Sequence, residues 1–264
     1  MPVTTNEPRT IKSVEMACDI IDVLRETGGA TVTEIDDRVD LSVGSIYTHL
    51  ATLRANNYVI QEDKQYRLSP LFVTLGEHVR NHSELYNAGT KKADEIAKET
   101  GEAVNLTTEY NGLKVILYQA FGQNAAGREY HVRNREEPKR YLHYSASGKA
   151  MLAGFSEEKV QRIIDEHGLR QRTENTITDE DRLFDELKTV SDQGFALNDE
   201  EQVNGLRAVG AAIIDSAGSV VGSISLSAPK HRMRGEEFRE EVPELITNTA
   251  NLIELNLQTR EGDL

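Results

Sequence analysis

The sequence predicts a two-domain α+β protein, and three patterns along the chain lead to that prediction. Residues 31–68 contain two short amphipathic helical runs followed by a polar hairpin. Residues 70–100 keep a helical spacing of apolar side chains. After Gly101 the spacing changes to that of strands joined by short turns, with helical runs between some of them. This second part predicts a central antiparallel sheet with helices packed on it.

Two helices and a tight turn are predicted in the first part of 31–68. Thr33 is the expected N-cap of a helix whose inward face is Ile35 and Val39. Ser42 is expected to cap the second helix after a break at residues 40–42. The apolar positions of the second helix recur every three or four residues: Val43, Ile46, Leu50 and Leu53.

A β-hairpin is predicted directly after the second helix. Asn56 and Asn57 end the helix because Asn tolerates the left-handed conformation, and two short strands then pair across Asp63 and Lys64. Together these elements form a winged helix-turn-helix, whose second helix has the right size for the major groove of DNA. One alternative is a helical hairpin with a solvated polar face, and another is a winged helix that binds a protein partner.

The predicted DNA contacts are the polar side of the second helix and the basic residues around it. Hydrogen-bonding side chains suit base edges, and lysine or arginine suits phosphates. The candidates on the helix are Ser42, Gly44, Ser45, Tyr47, Thr48, His49 and Thr52. The phosphate candidates are Arg54, Lys64 and Arg67, with Arg9 and Lys12 for the backbone or minor groove. A symmetric dimer would bind a pseudo-palindromic site in double-stranded DNA.

The charge balance is unusual for a DNA-binding chain. The net charge is −14, from 30 basic and 44 acidic residues, whereas DNA binding depends on neutralising phosphates. Two explanations stay open: basic groups concentrated at a few contact points, or a protein that works in high salt, where repulsion is screened. We favour a salt-loving source. With no signal-peptide or membrane-spanning pattern, a cytoplasmic protein without membrane contact is expected.

Four segments are expected along the chain: a flexible arm over 1–9, the winged helix-turn-helix domain over 10–69, a connector helix over 70–82 and the second domain over 83–264. The first helix is predicted over 10–27, and its inward stripe is Ile11, Val14, Ala17, Cys18, Ile21 and Leu24. The single cysteine is therefore expected to be buried, and it excludes a disulfide framework or a Cys-rich zinc site. Along the connector, Leu71, Leu75 and Val79 are expected to face inward.

About six strands are predicted in the second domain, over 103–110, 114–121, 128–132, 195–198, 206–215 and 219–228. Asn111 and Gly112 form a hairpin turn signal between the first two strands. Helices are predicted over 147–153, 156–166, 178–193 and 235–260, with Ser156 and Thr178 as the caps of the second and third.

A small-residue stretch at 143–149 precedes an apolar helix and could bind an anion at free helix N–H groups. A capped helix without a ligand is the equal alternative. A phosphate-binding P-loop is excluded, because His143 stands where its first glycine belongs and Ala150 follows the lysine. Ser145 and Lys149 also miss the spacing of a nucleophilic Ser-x-x-Lys pair.

Three serines alternate with apolar residues at 223–227, so Ser223, Ser225 and Ser227 share one face of a strand. A solvent face and a ligand-pocket wall are the two explanations. The acidic run 199–201 predicts a solvated turn or hydrogen bonds that order the loop. His131 and His143 are interpreted as ordinary hydrogen-bonding residues. Neither a nucleophile–base pair nor metal-ligand spacing is recognisable, so an enzyme fused to a helix-turn-helix is the less favoured class and no cofactor or metal is expected.

The chain resembles the IclR family of transcriptional regulators over nearly its whole length. The matching segments are the helix over 11–24 and four sequence stretches: LSVGSIYTHLATLRANNYV, HYSASGKAMLA at 143–153, NDEEQVNGLRAVGAAIID at 198–215 and SISLSAP at 223–229. The family's helix usually starts with Pro-Lys, where this chain has Ser42-Val43-Gly44. Asn198 stands where an acidic pocket residue is common in the family.

The resemblance implies a C-terminal effector-binding domain of GAF-like fold, and homodimers or dimers of dimers. It implies that a small carboxylate, an organic or sugar acid, binds at Ala146, Ser147, Asn198, Leu206, Ala208, Ser225 and Ser227. The expected function is a DNA-binding activator or repressor, controlled by this effector and governing a catabolic gene cluster.

Overall fold

The computed structural model describes residues 9–126 and 140–261 and divides the chain into two units, Met1–Val79 and Arg80–Leu264. The strand predicted over 128–132 and His131 lie outside the described residues. Within the described ranges, no helix is long and apolar enough to cross a membrane.

The first unit contains three helices, a hairpin and the start of a fourth helix. In chain order these are α1 (Lys12–Thr27), α2 (Val32–Asp36), α3 (Val43–Ala55), β1 (Val59–Glu62), β2 (Gln65–Leu68) and α4 (Leu71–Asn81). The strands pair antiparallel, and Asp63 at the hairpin turn has a left-handed φ of 56°. Asn57, with φ of 63°, follows the end of α3. The predicted helix-turn-helix and wing are therefore confirmed.

A small apolar core holds this unit together. The side chains that it buries come from α1, α2, α3, the hairpin and the segment between α1 and α2: Ile20, Val23, Leu24, Ala30, Ile35, Ile46, Leu50, Leu53, Val59 and Tyr66. Ile46, Leu50 and Leu53 are the three inward residues of α3, as their spacing predicts, whereas Val43 at its start is exposed.

The N-cap of α2 is Thr31, so the prediction that Thr33 caps this helix is wrong. Thr31 Oγ1 accepts a hydrogen bond from the Glu34 N–H, and Glu34 Oε2 accepts one from the Thr31 N–H at 2.7 Å. The hydrogen bond from the Thr31 N–H also holds the pKa of Glu34 below its usual value. Thr33 has the same side chain as Thr31, but it lies inside the helix and not at its start.

Replacing Thr31 with alanine should lower the free energy of unfolding of the first unit by about 1 kcal/mol, because an N–H at the helix start loses its acceptor. The same change at Thr33, which is exposed, should shift it by less than about 0.5 kcal/mol. Urea unfolding of the two variants measures the difference. Equal effects, or a larger one at Thr33, would contradict the assigned cap.

The apolar stripe predicted for α1 is wrong in its N-terminal half. Ile11 and Val14 are 67% and 56% exposed, and Cys18 is exposed instead of buried. The buried residues of α1 are Ile20, Val23 and Leu24. The core reaches only the C-terminal half of this helix, so the helical spacing of apolar residues continues onto an uncovered surface.

The stripe predicted for the connector helix is exposed at two of its three positions, and Leu71 at its start is half-buried. Helix α4 has no buried residue; Leu75 and Val79 are 40% and 68% exposed, and Val73 is 67% exposed. An inward face was predicted from spacing alone, but spacing does not say what covers the face. The described residues leave Val73, Leu75 and Val79 uncovered.

The second unit is built from a five-stranded sheet and helices on both of its faces. Its strands are β3 (Ala103–Tyr110), β4 (Leu113–Phe121), β5 (Ala196–Asp199), β6 (Leu206–Ile214) and β7 (Val220–Pro229). Its helices are α5 (Glu84–Thr100), α6 (Ala146–Ala153), α7 (Glu157–His167), α8 (Glu180–Gln193) and α9 (Val242–Glu261), the last preceded by a π-helical turn over Glu237–Glu241.

The strands pair antiparallel in the order β4-β3-β7-β6-β5. Val104, Leu106, Val209, Ile224 and Leu226 point to one face, where they form the main core with residues of α5 and α9. Their polar neighbours along the strands point to the opposite face. The predicted α+β class, with a winged helix and a central antiparallel sheet, is confirmed.

The hairpin turn and one of two helix caps predicted for this unit are confirmed, and the other cap is wrong. Asn111 and Gly112 have φ of 49° and 72° in the turn between β3 and β4, as their hairpin signal predicts. Ser156 caps α7, but α8 is capped by Asp179, which accepts from the Arg182 N–H at 2.9 Å. The prediction that Thr178 caps this helix is therefore wrong, because the helix starts one residue later than predicted.

Candidate functional site

The outward surface of α3 is polar and exposed. Tyr47 is 54% exposed, and Ser42, Gly44, Thr48 and Thr52 are also exposed. Ser42 Oγ accepts from the Ser45 N–H at 3.3 Å, which fixes the start of the helix. With its apolar side buried in the core, α3 presents this polar side away from the unit.

The two threonines of this surface hydrogen-bond to their own helix. Thr48 Oγ1 donates to Gly44 O and Thr52 Oγ1 donates to Thr48 O, both at 2.9 Å. Such i−4 bonds use the hydroxyl proton. Each hydroxyl can still accept a hydrogen bond, and each methyl group is available for apolar contact.

Two predicted contact residues are half-buried, and one of them, His49, contacts α1. Ser45 and His49 are half-buried, and the His49 ring nitrogens lie 2.8 Å from Ser45 O and 3.2 Å from Ser13 O. Ser45 Oγ lies 3.3 Å from His49 Nδ1. His49 therefore ties the middle of α3 to the first turn of α1, and Ser45 contacts the His49 ring from within α3.

The basic residues around α3 are exposed, and two of them contact side chains of the wing. Arg54 donates to Gln61 Oε1 at 2.7 Å, and Arg67 pairs with Glu62 at 3.1 Å. Lys64 lies at the tip of the hairpin and has no ion pair with a described residue. Arg9 and Lys12 are exposed at the start of α1.

In the second unit, a cavity lies on the polar face of the sheet. All seven predicted effector residues line it: Ala146, Ser147, Asn198, Leu206, Ala208, Ser225 and Ser227. The sequence analysis missed seven further lining residues, namely Asn105, Thr107, Lys114, Ile116, Ser145, Gln202 and Arg207. The alternation of Asn105 and Thr107 with Val104 and Leu106 was a signal for the first two.

The N-terminus of α6 packs directly against the sheet at this cavity. A Cβ atom on Gly210 would lie 2.8 Å from the Ala146 carbonyl carbon and the Ser147 nitrogen, so only glycine permits this approach. Ser145 Oγ accepts from the Gly148 N–H at 3.2 Å. The N–H groups of Ala146 and Ser147 precede the first intrahelical bonds, and such groups favour an anion.

The strand serines differ in how they are engaged. Ser223 Oγ shares a 2.8 Å hydrogen bond with Thr107 Oγ1, and neither is exposed. Ser227 Oγ lies 3.5 Å from Ala103 O, a weak contact, and Ser225 Oγ makes no hydrogen bond with a described residue. Ser225 and Ser227 border the cavity, so their hydroxyls are the ones available to a ligand.

Asn198 borders the cavity, but the nitrogen and the oxygen of its side-chain amide each already form a hydrogen bond within the protein. Its Nδ2 donates to Tyr144 O at 2.6 Å, and its Oδ1 accepts from the Glu201 N–H at 3.1 Å. It joins the segment before α6 to the loop after β5. An acidic residue at this position could not make the first of these bonds, because a carboxylate has no N–H to donate.

The acidic run after β5 orders its own loop, one of the two predicted roles. Asp199 forms two hydrogen bonds with Arg207, at 2.7 and 2.9 Å, which lower the pKa of Asp199. Glu200 pairs with Lys230, whose hydrogen bond lowers the pKa of Glu200. Thr173 and Thr176 also donate to carbonyls of this loop.

A buried ion cluster lies next to this loop. Lys149 of α6 is 1% exposed, and its Nζ lies 2.7 Å from both Glu186 and Glu201. Burial raises the pKa of Glu201 above its usual value, against the opposing effect of Lys149. Glu201 Oε2 is buried without a hydrogen-bond partner. Sequence spacing gave no sign of this cluster, because its members are 37 and 52 residues from Lys149.

His143 lies beside the cluster's helix, and its Nε2 is 3.0 Å from Arg170 O. Burial lowers the pKa of His143 below its usual value. The described residues contain no group of histidine, cysteine or acidic side chains that could hold a metal ion. The contact that His143 makes with Arg170 O is that of an ordinary hydrogen-bonding residue.

A winged helix-turn-helix followed by a domain with an anion-favouring cavity defines a ligand-responsive DNA-binding regulator. Residues 13–63 match the family profile described as the IclR helix-turn-helix domain, and residues 78–255 match the one described as the bacterial transcriptional regulator IclR C-terminal domain. The chain belongs to the IclR family of transcriptional regulators. It is therefore a DNA-binding regulator of transcription and not an enzyme.

Relatives and solved structures agree with this membership. The chain is 39% identical to the probable HTH-type transcriptional regulator ArcR of Halobacterium salinarum, over 96% of both chains. It is 28% identical to the HTH-type transcriptional regulator KdgR of Escherichia coli, over 91% of both. The crystal structure of the Thermotoga maritima IclR is 25% identical, with a TM-score of 0.69, and the match covers 94% of this chain and 99% of that one.

Proposed function

We propose that this regulator binds a pseudo-palindromic operator as a homodimer or a dimer of dimers, and that a small carboxylate controls its affinity or activity. The observation that carries the proposal is the exposed polar side of α3, opposite the buried Ile46, Leu50 and Leu53. A helix exposed in this way after a helix-turn can enter the major groove. The target is a catabolic gene cluster, and the site of action is the cytoplasm.

The structure supports a division of roles among the predicted DNA contacts. Tyr47, Thr48 and Thr52 are exposed on α3 and would face base edges. His49 would position α3 through α1 more than it reads bases, and Ser45 would hold the His49 ring in place. The helix start and the nearby basic groups would contact phosphates or the minor groove: Ser42, Gly44, Arg54, Lys64, Arg67, Arg9 and Lys12.

Self-association is supported by apolar side chains that the first unit leaves exposed. They are Ile11, Val14, Val73, Leu75 and Val79. Apolar stripes that the chain itself does not cover are typical of protein interfaces. A two-fold axis would place two α3 helices about one DNA turn apart, or a multiple of it.

Control by an effector is supported by the cavity in the second unit. Helix N–H groups at Ala146 and Ser147 and the hydroxyls of Ser225 and Ser227 can all donate to carboxylate oxygens. Ligand and DNA would then be linked, because each favours one state of the regulator and so changes the affinity for the other equally.

The acidic composition supports work in high salt. The net charge of −14 opposes DNA binding in dilute buffer, and screening at high ionic strength shortens the reach of this repulsion. Unfolding measured against KCl concentration tests this point. Full stability in dilute buffer would count against a salt-adapted protein.

DNA footprinting on the region upstream of the gene that encodes this protein tests the proposed operator. The expected result is two protected half-sites separated by one helical turn or a multiple of it. Absence of protection, together with capture of a defined protein partner by the α3 surface, would favour a protein-binding winged helix instead.

Replacing Lys64 with alanine should weaken operator binding about equally for all sequences and reduce the slope of log affinity against log salt by about 1, because one phosphate contact is lost. Fluorescence anisotropy across a KCl series measures the slope. Lys188, an exposed lysine on α8 of the other unit, is the matched control. If the two alanine variants gave the same slope of log affinity against log salt, Lys64 would not be part of the DNA interface.

A further inference from the structure

We propose that Lys114 selects effectors with a second anionic group, so that the effector of this regulator is a small hydroxylated dicarboxylate. The inference rests on the proposed function, namely that the cavity of the second unit binds an effector. It adds a residue outside the predicted set and narrows the chemical class of the ligand.

Lys114 and the N-terminus of α6 border the cavity from different sides. Lys114 lies on β4, at one edge of the sheet, whereas α6 packs on Gly210 of β6. The order β4-β3-β7-β6 separates these strands by three spacings of about 4.8 Å each. A ligand carboxylate held at Ala146 and Ser147 therefore leaves the Lys114 side for another group.

The described residues around the cavity carry positive charge and no carboxylate. Lys114 and Arg207 are the two cationic lining residues, and no aspartate or glutamate lines the cavity. Arg207 is committed to Asp199 through two hydrogen bonds. This balance favours a ligand with more than one negative charge.

Glu109 is the acidic residue opposite Lys114 in the β3–β4 pair, and its carboxylate contacts other groups. Glu109 pairs with Lys114 in the β3–β4 ladder, but its carboxylate accepts from Lys159 at 2.7 Å and from the Gly112 N–H at 2.6 Å. Lys114 is only 5% exposed, so its charge lies in a poorly solvated region. Lys114 takes part in other interactions as well, and it borders the cavity.

Between these two sides the wall offers hydrogen-bond donors. Gln202 lines the cavity, and its Nε2 is buried without a hydrogen-bond partner. Asn105 Oδ1 accepts from Gln119 Nε2 at 2.7 Å, which leaves the Asn105 amide N–H groups for a ligand oxygen. Donors of this kind suit hydroxyl groups between two carboxylates better than an apolar or aromatic body.

Matched pairs of sugar acids test the inference. The pairs are glycerate with tartronate, threonate with tartrate and gluconate with glucarate; in each, one terminal hydroxymethyl group is replaced by a carboxylate. Binding to the full-length protein is measured by isothermal titration and thermal shift in high KCl. At least one dianion should bind about tenfold or more tightly than its monoanion partner, as a charge-assisted contact predicts.

The variants Lys114→Met and Lys114→Arg identify the residue responsible. K114M should lose the preference for the dianion while K114R keeps it, and K114R also shows that the site tolerates substitution. If no dianion binds more tightly than its partner, or if K114M keeps the preference, the inference is overturned. Tight monoanion binding that is lost in a Ser225→Ala variant would overturn the inference but uphold the cavity as the effector site, whereas no binding by any acid would count against both.

Discussion

Replacing Lys149 with methionine is expected to lower the free energy of unfolding of the second unit by about 3–5 kcal/mol, the usual cost of removing one partner from a buried ion pair. Lys149 is 1% exposed, and its ammonium lies between Glu186 and Glu201 at 2.7 Å from each. Without it, Glu201 must either stay buried as an unpaired carboxylate or take up a proton. Chemical denaturation of the full-length protein measures the loss.

Glu201→Gln is the matched control for the Lys149 variant. Glutamine keeps an oxygen for the lysine ammonium but removes a carboxyl group whose pKa is raised by burial. A raised folded-state pKa means that the carboxyl group contributes most to stability below its unfolded pKa, and that this contribution is lost as pH rises through the folded pKa. E201Q should therefore gain stability relative to the wild type as pH rises from about 4.5.

These two variants together distinguish a buried cluster from a surface pair. A loss below about 1 kcal/mol for K149M is typical of exposed ion pairs and would show that the cluster is open to water. A pH profile of E201Q parallel to that of the wild type would show that Glu201 titrates as it does in the unfolded chain.

Replacing both Ser225 and Ser227 with alanine is expected to abolish the response of operator binding to the effector. Each serine borders the cavity beside the amides of Ala146 and Ser147, and each hydrogen bond to a charged ligand contributes about 1.5–3 kcal/mol. Loss of two such bonds would weaken effector binding by more than a hundredfold. Gel-shift titrations with effector, compared between variant and wild type, measure the response.

Ser223→Ala is the control on the same face of the same strand. Its hydroxyl is bonded to Thr107 and it does not line the cavity. This variant should lose some stability, because Thr107 Oγ1 is left without its partner, but it should keep the effector response. An unchanged response in the double variant, or an equal loss in S223A, would exclude the serine wall as the ligand site.

The DNA-binding unit could be predicted where local chemistry decides the structure. The Ser42 cap, the left-handed Asn57 and the hairpin at Asp63 each depend on a few neighbouring residues. The burial of Ile11, Val14 and Cys18 was predicted wrongly, because burial depends on how far the core extends along α1. The caps at Thr33 and Thr178 were wrong by one or two positions, since several nearby residues share the same capping chemistry.

The effector cavity could be predicted only along the segments that carry a family pattern. The residues from α6, β5, β6 and β7 gather as expected. Asn105 and Thr107 of β3 join them through pairing with β7, whose residues are more than 100 positions away, and Lys114 joins them through the pairing of β4 with β3. No local spacing specifies that pairing. The hydrogen bond from the Asn198 amide to Tyr144 O could not be predicted from the sequence either, because the two residues are 54 positions apart.

The uncovered α4 helix has a consequence for folding. An isolated helix of 11 residues is only marginally stable in water, and α4 has no fully buried side chain, although Phe72 at its start packs against Tyr58. Whatever covers Val73, Leu75 and Val79 would therefore also supply most of the free energy that keeps this segment helical. If a second copy of the chain does so, the helicity of the segment joining the two units should rise with protein concentration, and assembly and ordering would be a single thermodynamic event.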